Sequence, residues 1–512
     1  MNRAKRYVLN AFILSACMLL MRTVAVAFNA FCVQKVGSEG MGLFSLVMSV
    51  YTFAVTLATS GVNLAATRLV ALYYGRNEGA SVRSAMRKCL LYSAAFGTLA
   101  SLALFLFADA VALHMLSEPR AGMSVRALSL SLLPLSLCSA FSGYFAAVRR
   151  VYKNAISQVL EQTVKILACT FLLSLLMPAG MEYACLALVL GGTVSEIFSF
   201  FTQLFSYLSD KRTLRGKGKA VGMRRVTEIA MPVAFSAYVR SGLVTLEHVL
   251  IPIGLTAYGD ANALATYGIV SAVALPIVLY PSAFVGAFAG QIIPEITELY
   301  ALNNQKEVAY VTTRAFYVTE LFSILAAGLL SVFATDFCTV IYGDGTAAEF
   351  VRALAPLMPV MFLDTVTDSI LKGLGKQVYT MCVNIADAAV SVLLVWLLVP
   401  RMGVYGYIVV LYVSECINTV CSIGKLLTLT RLRVRVGKLL VAPLLAAVGA
   451  GNLSAYLLSC LAPPQGAWTL LGECLLFAGL YFTLARLLGA VGKEETAWVK
   501  KLLQKEKNPV KA

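Results

Sequence analysis

Met21-Arg22-Thr23-Val24-Ala25-Val26-Ala27-Phe28-Asn29 sets a guanidinium in the middle of an apolar run that continues to Tyr74, and Val239-Arg240-Ser241 opens a second such run that ends near Tyr300. An arginine at the centre of a membrane-spanning helix costs roughly 2.5 to 3.5 kcal/mol on insertion scales, so it turns toward the protein interior or a water-filled cavity. Two at matching places point to a buried cavity that takes an anion.

The composition around these stretches agrees with a membrane setting. Of 512 residues 59% are hydrophobic and 13% charged, with a mean hydropathy of +0.80. A soluble domain has about 45 to 50% apolar residues and about a quarter charged. The net charge of +16 does not indicate nucleic acid, because the basic residues sit in short loops between apolar runs and not on one soluble face with interleaved aromatics. The 12 cysteines are scattered through the apolar runs and the 2 histidines stand alone, which gives no Cys/His metal spacing and no nucleophile–base arrangement. No phosphate-binding glycine loop of the ATPase type is present, so ATP is not the direct drive.

About fourteen runs reach the length of about 20 residues that crosses a bilayer core, from Tyr7–Val33 and Phe44–Tyr73 to Leu439–Leu461 and Ala467–Leu488. The first follows Arg3, Lys5 and Arg6 as a signal peptide would, but it is too long for one and contains Arg22, so it reads as a retained helix. Roughly three quarters of the 42 Lys and Arg fall in segments on the side of the N-terminus. Only Lys35, Arg120, Arg126, Arg352 and Arg401 fall in loops on the other. This asymmetry predicts a multi-pass protein of the cell membrane with both termini cytoplasmic. Trp396 and Trp468, near outer ends of spans, suit the interfacial aromatic belt.

The chain also repeats. Arg240 answers Arg22, Glu247 takes the place of Asn29, and Glu298-Leu299-Tyr300 parallels Ala71-Leu72-Tyr73. At a near-constant separation, Ala127-Leu128, Pro134 and Val151-Tyr152 match Ala353-Leu354, Pro359 and Val378-Tyr379, and Glu161 falls on Asp387. An even number of spans per half returns the chain to its starting side, so the halves run parallel, as in transporters that bind at the midplane and rock. The expected fold is all-α and integral to the membrane: two parallel six-helix bundles, residues 1–210 and 227–428, joined by a basic linker at 211–226. Two further helices at 439–488 and a basic tail at 489–512 follow. In the tail, Trp498, Val499, Leu502 and Leu503 oppose Lys500, Lys501, Lys505 and Lys507, the pattern of a short helix on an anionic leaflet or of a solvated tail.

Several polar residues inside spans are candidates for the site. Arg22 and Arg240, at similar depth, would hold a phosphate or pyrophosphate by forked, charge-assisted bonds, unless each pairs with Asp364, Asp368, Glu196 or Glu415. Arg68 lies close enough to a span end to snorkel or to join them. Asn29, the lone carboxylate Glu196, and Asp364 with Asp368 at i, i+4 would line a cavity, while Glu161 and Lys165 at i, i+4 read as a structural ion pair. Glu247, about 10 Å along the helix from Arg240, suits a coupling cation or a proton. Asn384 and Asp387 form an oxygen-rich patch for a cation such as Na+, although Asn384 alone also suits helix–helix hydrogen bonding.

Four stretches give the chain a family likeness. Gly40-Met41-Gly42-Leu43-Phe44-Ser45-Leu46-Val47-Met48-Ser49-Val50-Tyr51 and Ser60-Gly61-Val62-Asn63-Leu64-Ala65-Ala66-Thr67-Arg68-Leu69-Val70 come early, and Leu374-Gly375-Lys376-Gln377 with Val399-Pro400-Arg401-Met402-Gly403-Val404-Tyr405-Gly406 come late. With these motifs the chain resembles the polysaccharide flippase branch of the multidrug/oligosaccharidyl-lipid/polysaccharide exporter superfamily. The resemblance implies a bacterial plasma membrane and a flippase that moves an undecaprenyl-pyrophosphate-linked saccharide from the inner to the outer leaflet. It favours a peptidoglycan precursor as cargo, by likeness to lipid II flippases, and gives Arg22, Arg68 and Arg240 the place of that branch's cavity arginines. It further implies that the last two helices guide the lipid tail. The partners expected are the lipid-linked saccharide, membrane lipids and enzymes of cell-envelope biosynthesis, with no cofactor other than Na+ or H+ as coupling ion. A cation-coupled multidrug antiporter is the alternative, opposed by the central arginines. A membrane enzyme that polymerises or ligates lipid-linked glycans is another, opposed by the shortness of the outer loops. A scaffold that transports nothing is the third.

Overall fold

Residues 3–212, 214, 216–430, 435–461 and 466–491 are described by the computed structural model, and every element among them is helical. The amphipathic stripe expected at Trp498 to Lys507 lies outside the described residues. The long helices are α1 Arg3–Thr59, α2 Val62–Gly75, α3 Gly79–Leu106, α4 Gly122–Ala147, α5 Val151–Leu176 and α6 Met181–Lys211. After the basic loop come α7 Met223–Tyr258, α8 Ala263–Leu279, α9 Ser282–Ala301, α10 Gln305–Val332, α11 Met358–Gly373, α12 Gln377–Met402 and α13 Val404–Leu429. The last pair is α14 Ala442–Leu461 and α15 Ala467–Leu487.

Among the described residues twelve helical stretches are long and apolar enough to cross a membrane, or thirteen if the bent pair α8 and α9 counts as one. The chain is a multi-pass membrane protein, and it departs from about fourteen separate spans in two places. The first two expected spans merge into one helical run, because α1 continues through the gap expected between Val33 and Phe44 with only Gly37 (φ 80°, ψ 169°) leaving helical geometry. That φ is in the region glycine adopts without a Cβ penalty, so a reorientation needs only one residue. In the second place the apolar run that starts at Ala263 is broken at Tyr280-Pro281, where α8 and α9 meet at 51°.

The chain divides into two compact units that are not consecutive in sequence. One, here the amino-proximal unit, comprises Lys35–Gly268 and Val392–Gly403; the other, the carboxy-proximal unit, comprises Met1–Gln34, Ile269–Ser391 and Val404–Ala512.

In the amino-proximal unit α4 lies among α2, α3 and α6. Its core holds Val62, Ala66, Met86, Phe141, Tyr144 and Phe145. Small residues bring backbones together, as expected where lipid gives helices no hydrophobic reason to associate. A Cβ at Gly143 would meet the Asn63 carbonyl oxygen at 2.5 Å, and one at Gly191 would meet Cys169 Sγ at 2.4 Å. The unit also takes in α7. Thr245 Oγ1 donates to the Ser49 carbonyl at 3.0 Å, and Thr56 Oγ1 donates to Ser241 Oγ at 3.1 Å.

In the carboxy-proximal unit α11 packs on α9, α10 and α13 around Phe316, Phe362, Val366 and Ile370. The hairpin α14–α15 closes on α10 through Ile324, Phe333, Ala446, Ala450, Phe477 and Tyr481, and the Tyr481 hydroxyl donates to the Leu321 carbonyl at 2.9 Å. Its other face leaves Val448, Tyr456, Trp468 and Leu475 exposed, an apolar surface suited to lipid.

Candidate functional site

The three arginines singled out in the sequence are all exposed, and none forms an ion pair with a carboxylate among the described residues. Arg22 lies in the carboxy-proximal unit, Arg68 and Arg240 in the amino-proximal one. Arg22 is anchored by the bend between α8 and α9. Its Nη2 donates to the Leu279 carbonyl at 2.9 Å and to Ser282 Oγ at 3.3 Å, while Ser282 Oγ donates to the same carbonyl at 2.6 Å. A broken helix leaves its last carbonyls without intrahelical donors, and a guanidinium is a strong one. Nη2 is committed; a guanidinium carries five N–H donors, and the others of Arg22 have no hydrogen-bond partner among the described residues. Thr23 Oγ1 and the Tyr280 hydroxyl, 2.8 Å apart, hold the next turn to the same break.

Asn29 is used in a similar way. Its Nδ2 donates to the Ala272 carbonyl at 2.7 Å and to the Tyr342 hydroxyl at 3.2 Å. Ala272 sits in the wide-turn stretch Ile269–Ala274, where the altered hydrogen-bond pattern offers side chains a carbonyl.

The carboxy-proximal unit gathers most of the remaining candidates on α11, α12 and α13. Asp364 Oδ2 accepts from Asn418 Nδ2 at 3.0 Å. Asp368 Oδ1 accepts from Ser422 Oγ and its Oδ2 from Asn384 Nδ2, both at 3.3 Å, with Lys372 Nζ at 3.7 Å from Oδ2. Asn384 Nδ2 also donates to the Thr380 carbonyl at 2.7 Å, so it ties α12 to α11. Asp387 Oδ1 accepts from Ser414 Oγ at 2.6 Å, and Ser414 in turn accepts from Ser391 Oγ at 2.9 Å. Two acceptor oxygens in this cluster, Asp364 Oδ1 and Asn418 Oδ1, are buried with no hydrogen-bond donor. A proton or a small cation would meet that demand. Among the described residues no group of three or more His, Cys, Asp and Glu side chains is set to hold a metal ion, so amide and hydroxyl oxygens would have to complete any cation shell.

Asn418, Ser414 and Ser422 were not anticipated from sequence. Their four-residue spacing on α13 is the signal that was available, since it places all three on one helix face. Glu247 is half-buried and partnered on α7, in the amino-proximal unit, whereas Asn384 and Asp387 belong to the carboxy-proximal one.

Glu196, expected as a lone carboxylate, is answered within its own unit. Its Oε2 accepts from the Tyr51 hydroxyl at 2.5 Å, and that hydroxyl oxygen lies 2.5 Å from Ser131 Oγ. The expected Glu161–Lys165 ion pair is not closed. Glu161 instead joins Glu196, Asn63, Gln158 and Gln203 around a cavity of about 270 Å³.

Comparison with known proteins adds the following. The sequence model of the family described as polysaccharide biosynthesis protein matches residues 7–300, and that of MatE matches residues 243–397. Stage V sporulation protein B of Bacillus subtilis (strain 168) is 23% identical over 407 residues, covering 77% of this chain and 78% of that protein. Among solved structures, the lipid II flippase MurJ in an inward closed conformation superposes with a TM-score of 0.70 at 11% identity, over 93% of this chain and 98% of its own. A multidrug resistance MATE family transporter of the MOP superfamily in an inward-facing conformation gives 0.64 at 12% identity, over 81% and 98% respectively.

Proposed function

This chain belongs to the polysaccharide biosynthesis protein family, and from that premise we propose that it is an alternating-access flippase for an undecaprenyl-pyrophosphate-linked saccharide, with lipid II as the favoured cargo. It lies within the polysaccharide flippase branch of the MOP superfamily, and its relatives are transporters and flippases rather than enzymes. The observation that carries the reading is the state of Arg22, Arg68 and Arg240: three exposed cations on apolar helices, with no carboxylate to neutralise any of them among the described residues. A pyrophosphate supplies the missing charge and accepts forked bonds from guanidinium groups.

In this reading the exposed guanidiniums of Arg22, Arg240 and Arg68 are the groups that answer the charge of the pyrophosphate. Arg22 is held by the Leu279 carbonyl, which fixes it before substrate arrives. Counting α1 as two spans divided at Gly37, and α8 with α9 as one bent span, brings the count to fourteen, which supports the plan of two six-helix bundles and an added hairpin. The Lys and Arg asymmetry places both termini in the cytoplasm. Movement is driven by a proton or Na+ acting on Asp364, Asp368, Asn384 and Asp387, where two buried oxygens lack a donor; Glu247 is a second candidate for the same ion. The saccharide comes from cell-envelope biosynthesis enzymes on the inner side.

The test is translocation of labelled undecaprenyl-pyrophosphate saccharides, lipid II among them, in liposomes holding the purified protein beside Arg22→Ala and Arg240→Ala. The expected result is movement that both variants lose while remaining folded. Normal movement in both removes the arginine site. Absence of movement for any lipid-linked saccharide, together with extrusion of cationic dyes under an ion gradient, gives the multidrug antiporter suggested by the MatE match at residues 243–397.

A further inference from the structure

The transport reading leaves unused a cavity of about 710 Å³ in the amino-proximal unit. Four cations border it, Arg83 and Arg87 from α3, Lys211 from the end of α6 and Lys219 from the loop that follows, and among the described residues no carboxylate lines it. None of the four makes an ion pair among the described residues. Arg83 gives a hydrogen bond to the Leu214 carbonyl, and Arg87, Lys211 and Lys219 are exposed.

Going deeper along α3, the lining changes character. Leu90, Leu91 and Ala94 follow the two arginines, with Leu137 of α4 opposite, and Leu91 is 51% exposed. From Arg83 to Ala94 is about 16 Å of helix at 1.5 Å per residue. Charge is therefore at one end of the cavity and a partly exposed apolar wall at the other.

The basic end is built rather than incidental. Gly216, at φ +108°, lets the loop turn against the start of α3; a Cβ there would lie 2.2 Å from the Asn77 carbonyl oxygen. At Gly218 a Cβ would lie 2.3 Å from Ser81 Oγ. The Ala80 amide donates to the Gly216 carbonyl at 3.2 Å and the Val221 amide to Ser84 Oγ at 2.9 Å, while Ser81 Oγ lies 2.8 Å from Glu78 Oε2 and 3.1 Å from the Lys219 carbonyl. These contacts hold the backbone at Lys219 against the start of α3, which carries Arg83 and Arg87.

We propose that this cavity binds an anionic phospholipid, its phosphodiester among Arg83, Arg87, Lys211 and Lys219 and an acyl chain along Leu90, Leu91, Ala94 and Leu137. A soluble phosphate would make no use of the apolar wall. A zwitterionic lipid would bring its own ammonium into a ring of cations. An anionic phospholipid satisfies both ends and is abundant at headgroup depth, where basic side chains attract it. The site stands on the amino-proximal unit alone, so loss of the Arg22 and Arg240 transport test would leave it untouched.

The experiment measures binding of fluorescent phosphatidylglycerol and phosphatidylcholine to the purified full chain in neutral detergent micelles, with thermal unfolding in parallel. The wild type is expected to prefer phosphatidylglycerol by at least tenfold. The Arg87→Gln/Lys211→Gln/Lys219→Gln variant is expected to lose about 100-fold, roughly fivefold per charge removed, with unfolding unchanged. Gly218→Ala, which keeps every charge but moves the loop, is expected to weaken binding several-fold. Equal binding of the two lipids overturns the proposal, as does unchanged affinity in the triple variant. Displacement by glycerol phosphate as effective as by the lipid would make it a soluble-phosphate site, and preference for a polyprenyl diphosphate would make it a substrate site; either result also overturns it.

Discussion

Glu196 in the amino-proximal unit and Asp364 in the carboxy-proximal unit are both carboxylates on apolar helices, yet their surroundings answer them differently. Glu196 accepts from the Tyr51 hydroxyl, which is itself held by Ser131. Asp364 accepts from Asn418 through one oxygen, and its other oxygen is buried without a donor, as is Asn418 Oδ1. Leaving a buried polar group unanswered costs about 1 to 3 kcal/mol. Such a deficit is tolerated where a mobile proton or cation supplies what is missing. The contrast separates a polar contact whose acceptor is answered from one whose acceptors are left without a donor.

Asp364→Asn is the sharpest way to break that contrast, and the largest effect is expected there. If Asp364 serves the drive, gradient-dependent translocation in liposomes falls at least tenfold while the unfolding temperature stays level or rises, because the amide brings a donor into a site short of donors. If Asp364 only braces α11 against α13, the same variant instead lowers the unfolding temperature and leaves the rate per folded molecule unchanged. Measuring both quantities on one preparation decides between the two.

Much of this arrangement was legible in the sequence, and the illegible part has a physical reason. Apolar run length gave the spans, and the i, i+4 spacing of Asp364 and Asp368 gave a polar face. What joins that face to Asn384 is a bond between residues on different helices, which no local pattern encodes. The same holds for Tyr51 and Glu196, 145 positions apart. Arg22 was legible as a cation inside an apolar run but not as the donor to Leu279, because that carbonyl becomes free only where α8 breaks at Tyr280-Pro281. The boundary between the first two spans was not legible as a kink, because Gly37 turns the chain without ending the helical run.

Tyr51→Phe tests the other side of the comparison. It removes the donor to Glu196 and leaves the ring in place, so unfolding free energy should drop by about 1 to 3 kcal/mol, read from denaturant or thermal melts in one detergent. Translocation per folded molecule should stay near wild type. A loss of transport at full stability would mean that Glu196 belongs to the transport machinery, and the two units would then be alike rather than opposed.

The smallest effect separates two serines of one chain of hydroxyls. Ser391 Oγ donates to Ser414 Oγ at 2.9 Å, and Ser414 Oγ donates to Asp387 Oδ1 at 2.6 Å. Ser391→Ala removes the outer link only: Ser414 keeps its proton for Asp387 and loses a donor it can do without. A cost of about 0.5 to 1.5 kcal/mol in stability, with the ion dependence of transport unaltered, is the expectation. Ser414→Ala strips Asp387 of a donor directly, so it should shift the ion concentration for half-maximal transport even where its stability cost is no larger. If Ser391→Ala shifts that concentration as much as Ser414→Ala does, the two hydroxyls act as one relay, and the region open to the ion extends along α12 beyond Asp387 to Ser391.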